Sequence, residues 1–232
     1  MSPDPAAVQP GDMTPIPVLL GPISTVGTDG STISTDQIDP ELFAICRGSA
    51  TRLNTPHQAS ADSAHAQGPA MSSSLSCLVT DYGSTISADA IDHLIGQKPV
   101  DPAAAATLRT LHDDLALRII LASNTERHET RWPALQKAGI ADLFSVALLS
   151  YPLGIGKPDP VFYQLVLAAA QAPPEQVLFV GDNLHCDVIA PLAHGMRTAL
   201  VRPDGLRPGE SLPNGALLIR HVRDLPALLE TM

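Results

Sequence analysis

From residue 75 onward the chain alternates short apolar runs with amphipathic stretches. Leu75–Thr80 reads as a buried strand, and so do Arg118–Ala122, Ser145–Leu149, Val177–Val180 and Thr198–Val201. The segments between them carry apolar positions at helical spacing. Pro102–Leu115 places Leu108, Leu111 and Leu115 on one face behind Asp101 as N-cap. Glu129–Ala138 ends at Gly139, Asp159–Ala170 has Pro160 at its first helical position, and His185–His194 closes at Gly195. Asp224–Glu230 supplies a last helix. Strands and helices alternating at these lengths predict an α/β fold: a Rossmann-like, three-layer parallel sheet covered on both faces.

Before residue 75 the periodicity is lost. Residues 1–74 are rich in Pro, Ser, Thr, Ala and Gly, and Thr55–Ser74 reads as a linker. Within this arm, Ile16–Leu20 is a candidate strand interrupted by Pro17. Asp39–Cys46 is a candidate helix with Asp39 as N-cap and Pro40 following. The chain therefore divides into an extended or disordered arm, 1–74, and a folded domain, 75–232. Gly30-Ser31-Thr32-Ile33-Ser34-Thr35-Asp36-Gln37-Ile38-Asp39 is nearly repeated by Gly83-Ser84-Thr85-Ile86-Ser87-Ala88-Asp89-Ala90-Ile91-Asp92. This points to a partial duplication, either a remnant or an arm that imitates the start of the domain. Met71 is a candidate alternative translation start.

Composition narrows the function classes. Aromatics make up only 3% of the chain, so the core must rest on Leu, Val, Ile and Ala. A formal charge of −10 opposes broad electrostatic binding to nucleic acid. Cys46, Cys77 and Cys186 are odd in number and form no CxxC pair, which disfavours disulfides and a zinc site. They read as free thiols in a reducing cytoplasm. No apolar run reaches membrane-span length, and the N-terminus lacks the pattern of a secretory signal.

In such a sheet, ligands gather beyond the carboxyl ends of the strands. Asp81-Tyr82-Gly83-Ser84-Thr85 follows the first strand and Ser123-Asn124 the second. Gly156-Lys157-Pro158-Asp159-Pro160 follows the third, and Gly181-Asp182-Asn183, then Asp187, follows the fourth. Three carboxylates, a lysine and a hydroxyl thus converge on one edge. A carboxylate can attack phosphorus and form an acyl-phosphate, provided positive charge screens the dianion it approaches. A lysine, and Mg2+ held by further carboxylates, would provide that charge.

These motifs, in this order, resemble those of the haloacid dehalogenase superfamily. The resemblance covers the domain and not the arm, and it implies a sheet of that family's type. It implies Asp81 as nucleophile, with Ser123, Thr85 and Asn124 on the phosphoryl group. Lys157 would steady both the nucleophile and the phosphate. The metal would take Asp81, Asp182, Asp187 and the backbone carbonyl of Gly83. The implied activity is Mg2+-dependent hydrolysis of a phosphorylated substrate through an aspartyl-phosphate.

The pattern departs from the family's at two places. Its phosphatases carry a second Asp two residues after the nucleophile, as general acid and base, and here that position is Gly83. Losing such a group slows turnover by about 10²–10⁴. A slow phosphatase, a phosphonatase- or dehalogenase-like hydrolase, and a non-catalytic binding or scaffold module all remain open. The second departure is the cap, which is minimal or absent: Ser87–Val100 has room for a short helix or flap. An open site suits a large or carrier-bound phosphate as well as a small one, or closure by a partner subunit in a homo-oligomer. Asp29 or Asp36 of the arm is a candidate replacement carboxylate. His128, His185, Arg127, Arg131 and Tyr82 are candidates for substrate contact or for ordinary surface and packing roles. Trp132 is expected to be partly buried, and Asp113-Asp114 to be surface.

Overall fold

The computed structural model describes residues 75–230, and the readings made on residues 1–74 lie outside them. Six strands form one parallel sheet: β1 (Cys77–Thr80), β2 (Arg118–Ser123), β3 (Phe144–Leu149), β4 (Val177–Gly181), β5 (Arg197–Val201) and β6 (Leu217–Ile219). Their spatial order is β3-β2-β1-β4-β5-β6. All four residues of β1 and all five of β4 are buried, as a parallel sheet covered on both faces requires.

Alternate residues of each strand feed opposite layers. Leu78, Ile119, Leu121, Leu178 and Val180 pack into one apolar cluster with Leu108 and Leu111 of α1 (Pro102–Asp113). Val79, Ile120 and Phe179 pack into a second with Phe162, Tyr163 and Val166 of α4 (Pro160–Ala170). Three aromatics meet there: the Tyr163 ring meets Phe162 edge-on at 6.0 Å and Phe179 at 6.1 Å. Asp101 and Asp159 cap α1 and α4 as expected, accepting from the Ala104 and Val161 amides at 2.9 and 2.8 Å.

Several boundaries differ from expectation. Helix α1 stops at Asp113, because Ala116 adopts φ 51° and turns the chain back. Leu115, expected on the apolar face, is therefore 49% exposed, and Leu117 is buried instead. Helix α2 spans Trp132–Lys137 rather than Glu129–Ala138. Pro133 has no N–H for a carbonyl four residues back, so it fits only the first turn. The helix expected over His185–His194 is a π-helical turn, Leu184–Ile189, running into α5 (Ala190–Ala193). Pro191 cannot donate to the Asp187 carbonyl, which breaks α-helical pairing at that point. Strand β6 was not expected. Its three residues follow a Pro- and Gly-rich loop, and Gly215 beside the short apolar run Ala216–Ile219 was its only sequence signal. It leads into α6 (Leu225–Leu229), preceded by a 3-10 turn over Val222–Asp224. A last short helix, α3 (Ser150–Leu153), follows β3.

The segment between β1 and α1 is a small flap. Antiparallel bridges Ser87↔Val100 and Asp92↔Gln97 hold it. The Asp92 carboxylate pairs with Lys137 of α2, and Ile91 and Leu94 at its tip are 59% and 90% exposed. Cys77 and Cys186 are free thiols. Among the described residues, no helix is long and apolar enough to cross a membrane.

Candidate active site

Strand register brings the first two carboxylates together. Thr80 of β1 lies beside Val180 of β4, and the Asp81 amide donates to the Val180 carbonyl at 2.9 Å. Asp81 and Asp182 thus leave adjacent strands at the same edge. Asp187 comes back to that edge from the π-helical turn. Asn183 caps this turn by accepting from the His185 and Cys186 amides, both at 3.0 Å, and its own amide donates to Asp187 Oδ2 at 2.9 Å. Gly181 is what permits this approach: a Cβ there would stand 2.3 Å from the Asp187 carboxylate.

Lys157 arrives from the far side on the loop after α3. Its Nζ donates to Asp81 Oδ1 at 2.9 Å and to Asp187 Oδ1 at 2.6 Å, and lies 5.4 Å from the Phe179 ring centroid. The Asn124 carboxamide holds the Lys157 backbone at both ends, donating to its carbonyl at 2.7 Å and accepting from its amide at 2.9 Å. That close fit needs Gly156, where a Cβ would stand 2.6 Å from both Asn124 Oδ1 and Ser150 Cβ. Asn124 thus touches the lysine backbone, a role sequence reasoning did not assign. Ser123 is buried at the end of β2. Thr85 is also buried, and its hydroxyl donates to the Gly83 carbonyl at 3.2 Å.

Ligand oxygens of Asp81, Asp182 and Asp187 lie within 4.8 Å of one another. Three carboxylates face one ammonium, so the buried cluster carries an excess of negative charge. Burial pushes the Asp187 carboxyl up to about 6, against the downward pull of Lys157. Burial, then Asp81, also raises Asp182. For Lys157, burial favours the neutral amine, but Asp81 and Asp187 outweigh it and hold the ammonium above the usual lysine value. An all-oxygen donor set with surplus negative charge fits a hard divalent cation such as Mg2+.

Two arginines support this site in ways the sequence did not reveal. Arg131, weighed above as a substrate contact or a solvated helix residue, is buried. It lies 4.8 Å over the Tyr82 ring and pairs with Glu129 at 3.0 and 3.1 Å. Tyr82 is buried too, its hydroxyl donating to the Lys98 carbonyl at 2.6 Å, so it anchors the flap base. Arg202, at the end of β5, donates to the Asp182 carbonyl and is held by Glu210 at 2.7 and 3.1 Å. Its only sequence signal was its place one residue after an apolar run. His128 and His185 are exposed, and Asp113 is an exposed partner of His112.

Comparison with known proteins agrees with this architecture. A family model described as haloacid dehalogenase-like hydrolase matches residues 55–195. A phosphoserine phosphatase of Thermus thermophilus is 38% identical over 88 residues, covering 38% of this chain and 35% of that protein. Human haloacid dehalogenase-like hydrolase domain-containing protein 3 is 36% identical over 115 residues, covering 48% of this chain and 45% of that one. The chain thus spans less than half the length of these two relatives. An uncharacterised protein of Listeria monocytogenes serotype 4b superposes with a TM-score of 0.57 at 22% identity, over 68% of this chain and 100% of that one. A HAD-superfamily hydrolase of Geobacter sulfurreducens gives 0.52 at 15%, over 67% and 100%. The two structures share the fold, and the family model spans more than half of the sequence: the chain belongs to the haloacid dehalogenase-like hydrolase family.

Proposed function

We propose that this protein is a Mg2+-dependent phosphohydrolase that acts through an aspartyl-phosphate on Asp81. The observation that carries this reading is the Lys157 ammonium bridging Asp81 and Asp187 beside a cluster of three carboxylates. The bridge occupies Asp81 Oδ1, while Oδ2 makes no hydrogen bond among the described residues. Oδ2 is then the atom that attacks phosphorus, its lone pair forming the new P–O bond as the ester oxygen departs. Lys157 fixes the carboxylate's orientation and faces the charge that builds on the phosphoryl oxygens. Mg2+ held by Asp81, Asp182, Asp187 and the Gly83 carbonyl would neutralise the incoming dianion. Ser123, Thr85 and Asn124 would serve the remaining phosphoryl oxygens. The phosphatase name of one relative supports the reaction class.

Gly83 is the one observation that favours a second reading, a binding module without turnover. It offers no proton to the leaving oxygen and no base to water. Thermal melting with beryllium fluoride and Mg2+ separates the two readings. An aspartyl-phosphate mimic at Asp81 raises the melting temperature of the native chain and not of Asp81→Asn. No rise in the native chain rules out the phosphohydrolase.

A further inference from the structure

Beyond Asp182 the site opens into a cleft of about 350 Å3 between the flap and the loops that follow β5 and β6. Ser84, Arg207 and Arg220 line it, with the buried Arg202 beneath. The arginines here are not equally engaged. Arg202 takes both oxygens of Glu210, and the Arg207 backbone amide donates to the same carboxylate at 2.9 Å. The backbone of Arg207 is therefore pinned, while its guanidinium enters no ion pair within 4.0 Å among the described residues. Arg220 is presented similarly: its amide donates to Asp224 at 3.1 Å, and its guanidinium is likewise without an ion pair. His221 meets Asp101 at 3.3 Å. Three carboxylates also line the cleft: Asp101 beside His221, Asp182 in the metal-type cluster, and Asp89 on the exposed rim.

A second feature marks the same cleft. Ser84 adopts φ 51°, a left-handed conformation unfavourable for a serine, and its amide donates to Ser87 Oγ at 3.0 Å. Such strain persists where surrounding structure imposes it, and here it sets an exposed hydroxyl at the cleft wall. In a chain of net charge −10, two arginines without an ion pair among the described residues and a strained serine adjoin the carboxylate cluster.

We propose that this cleft binds a second anion on the departing half of the substrate, a carboxylate or a second phosphate. This rests on the phosphohydrolase reading, with Asp81 attacking a phosphate monoester. Guanidinium groups suit both anions through paired N–H donors, and the serine hydroxyl adds a third donor. Among the described residues, the loops that line the cleft would carry this selectivity.

The test uses the full chain with Mg2+ and two matched pairs: glycerate 3-phosphate against glycerol 3-phosphate, and fructose 1,6-bisphosphate against fructose 6-phosphate. Dissociation constants are measured by calorimetry on Asp81→Asn, and kcat/KM on the native chain. The doubly anionic member of at least one pair binds about tenfold tighter, and the pair that responds identifies the anion. The ratio moves toward one in Arg207→Met with Arg220→Met and shrinks as salt is added. Ratios near one before substitution, a ratio that survives the double substitution, or no binding of any of the four overturns the proposal. A binding preference without turnover in the native chain refutes the phosphohydrolase reading and leaves the cleft standing.

Discussion

Substituting Gly83→Asp tests whether the missing acid limits turnover in the proposed phosphohydrolase. The backbone accepts the change: Gly83 lacks the positive φ that marks seven other glycines. A Cβ there meets nothing nearer than Asp81 Oδ2, at 3.8 Å. The new carboxyl would thus stand beside the attacking atom and also beside an excess of negative charge, which raises its pKa and favours the protonated form a general acid needs. The expected gain is about 10²–10⁴ in kcat, or about 3–5 kcal/mol of barrier. The gain must depend on the leaving group. Nitrophenolate departs without a proton, so with p-nitrophenyl phosphate the native chain should release one equivalent in a burst, then turn over slowly as water attacks the unassisted acyl-phosphate. An alkyl phosphate needs the proton in the first step and shows no burst. Gly83→Asp should abolish the burst and accelerate the alkyl ester more. Rapid-quench kinetics reads both effects. Unchanged rates on both esters, in a variant that still binds Mg2+, would refute the argument.

Two further expectations follow from the same geometry. Gly156→Ala forces a methyl against Asn124 and Ser150. It should cost about 1–3 kcal/mol in urea denaturation and lower kcat by displacing Lys157, and an unaltered midpoint would contradict that account. The third concerns pH in the metal-free chain. Because burial raises Asp187 to about 6, the fold favours its protonated form. Its contribution to stability is then full below the ordinary carboxylate value near pH 4 and is lost as pH rises through about 6. Urea midpoints measured in EDTA should show that decline, and Asp187→Asn should flatten it. An equal slope in both proteins would assign the effect elsewhere.

Much of the domain was legible because parallel strands buried on both faces write themselves as unbroken apolar runs. Ile119–Ala122 and Val177–Val180 admit little else. Asp81, Lys157, Asp182 and Asp187 were legible for a related reason: each follows a strand end or opens a turn, where polar groups are otherwise out of place. The arginines were not. Arg131 and Arg202 owe their burial to partners brought in by tertiary folding, and an arginine at a helix start or a strand end looks the same when solvated. The flap's short bridges and β6 carry too few residues for a period to register. The π-helical turn hides because its residues also suit an α-helix, and only Pro191 hinted at the break.

The central place of β1 has a consequence for biosynthesis. As the chain leaves the ribosome, β1 can pair with β2 and β2 with β3, but the other side of β1 waits for β4. Until Val177 has emerged, Cys77–Thr80 presents an apolar strand with unsatisfied amides and carbonyls, open to any neighbouring nascent chain. Asp81 lies at the end of that strand and cannot meet Asp182 or Asp187, which follow β4, before then. The carboxylate cluster and protection from aggregation are therefore acquired together, when the fourth strand and the turn behind it dock.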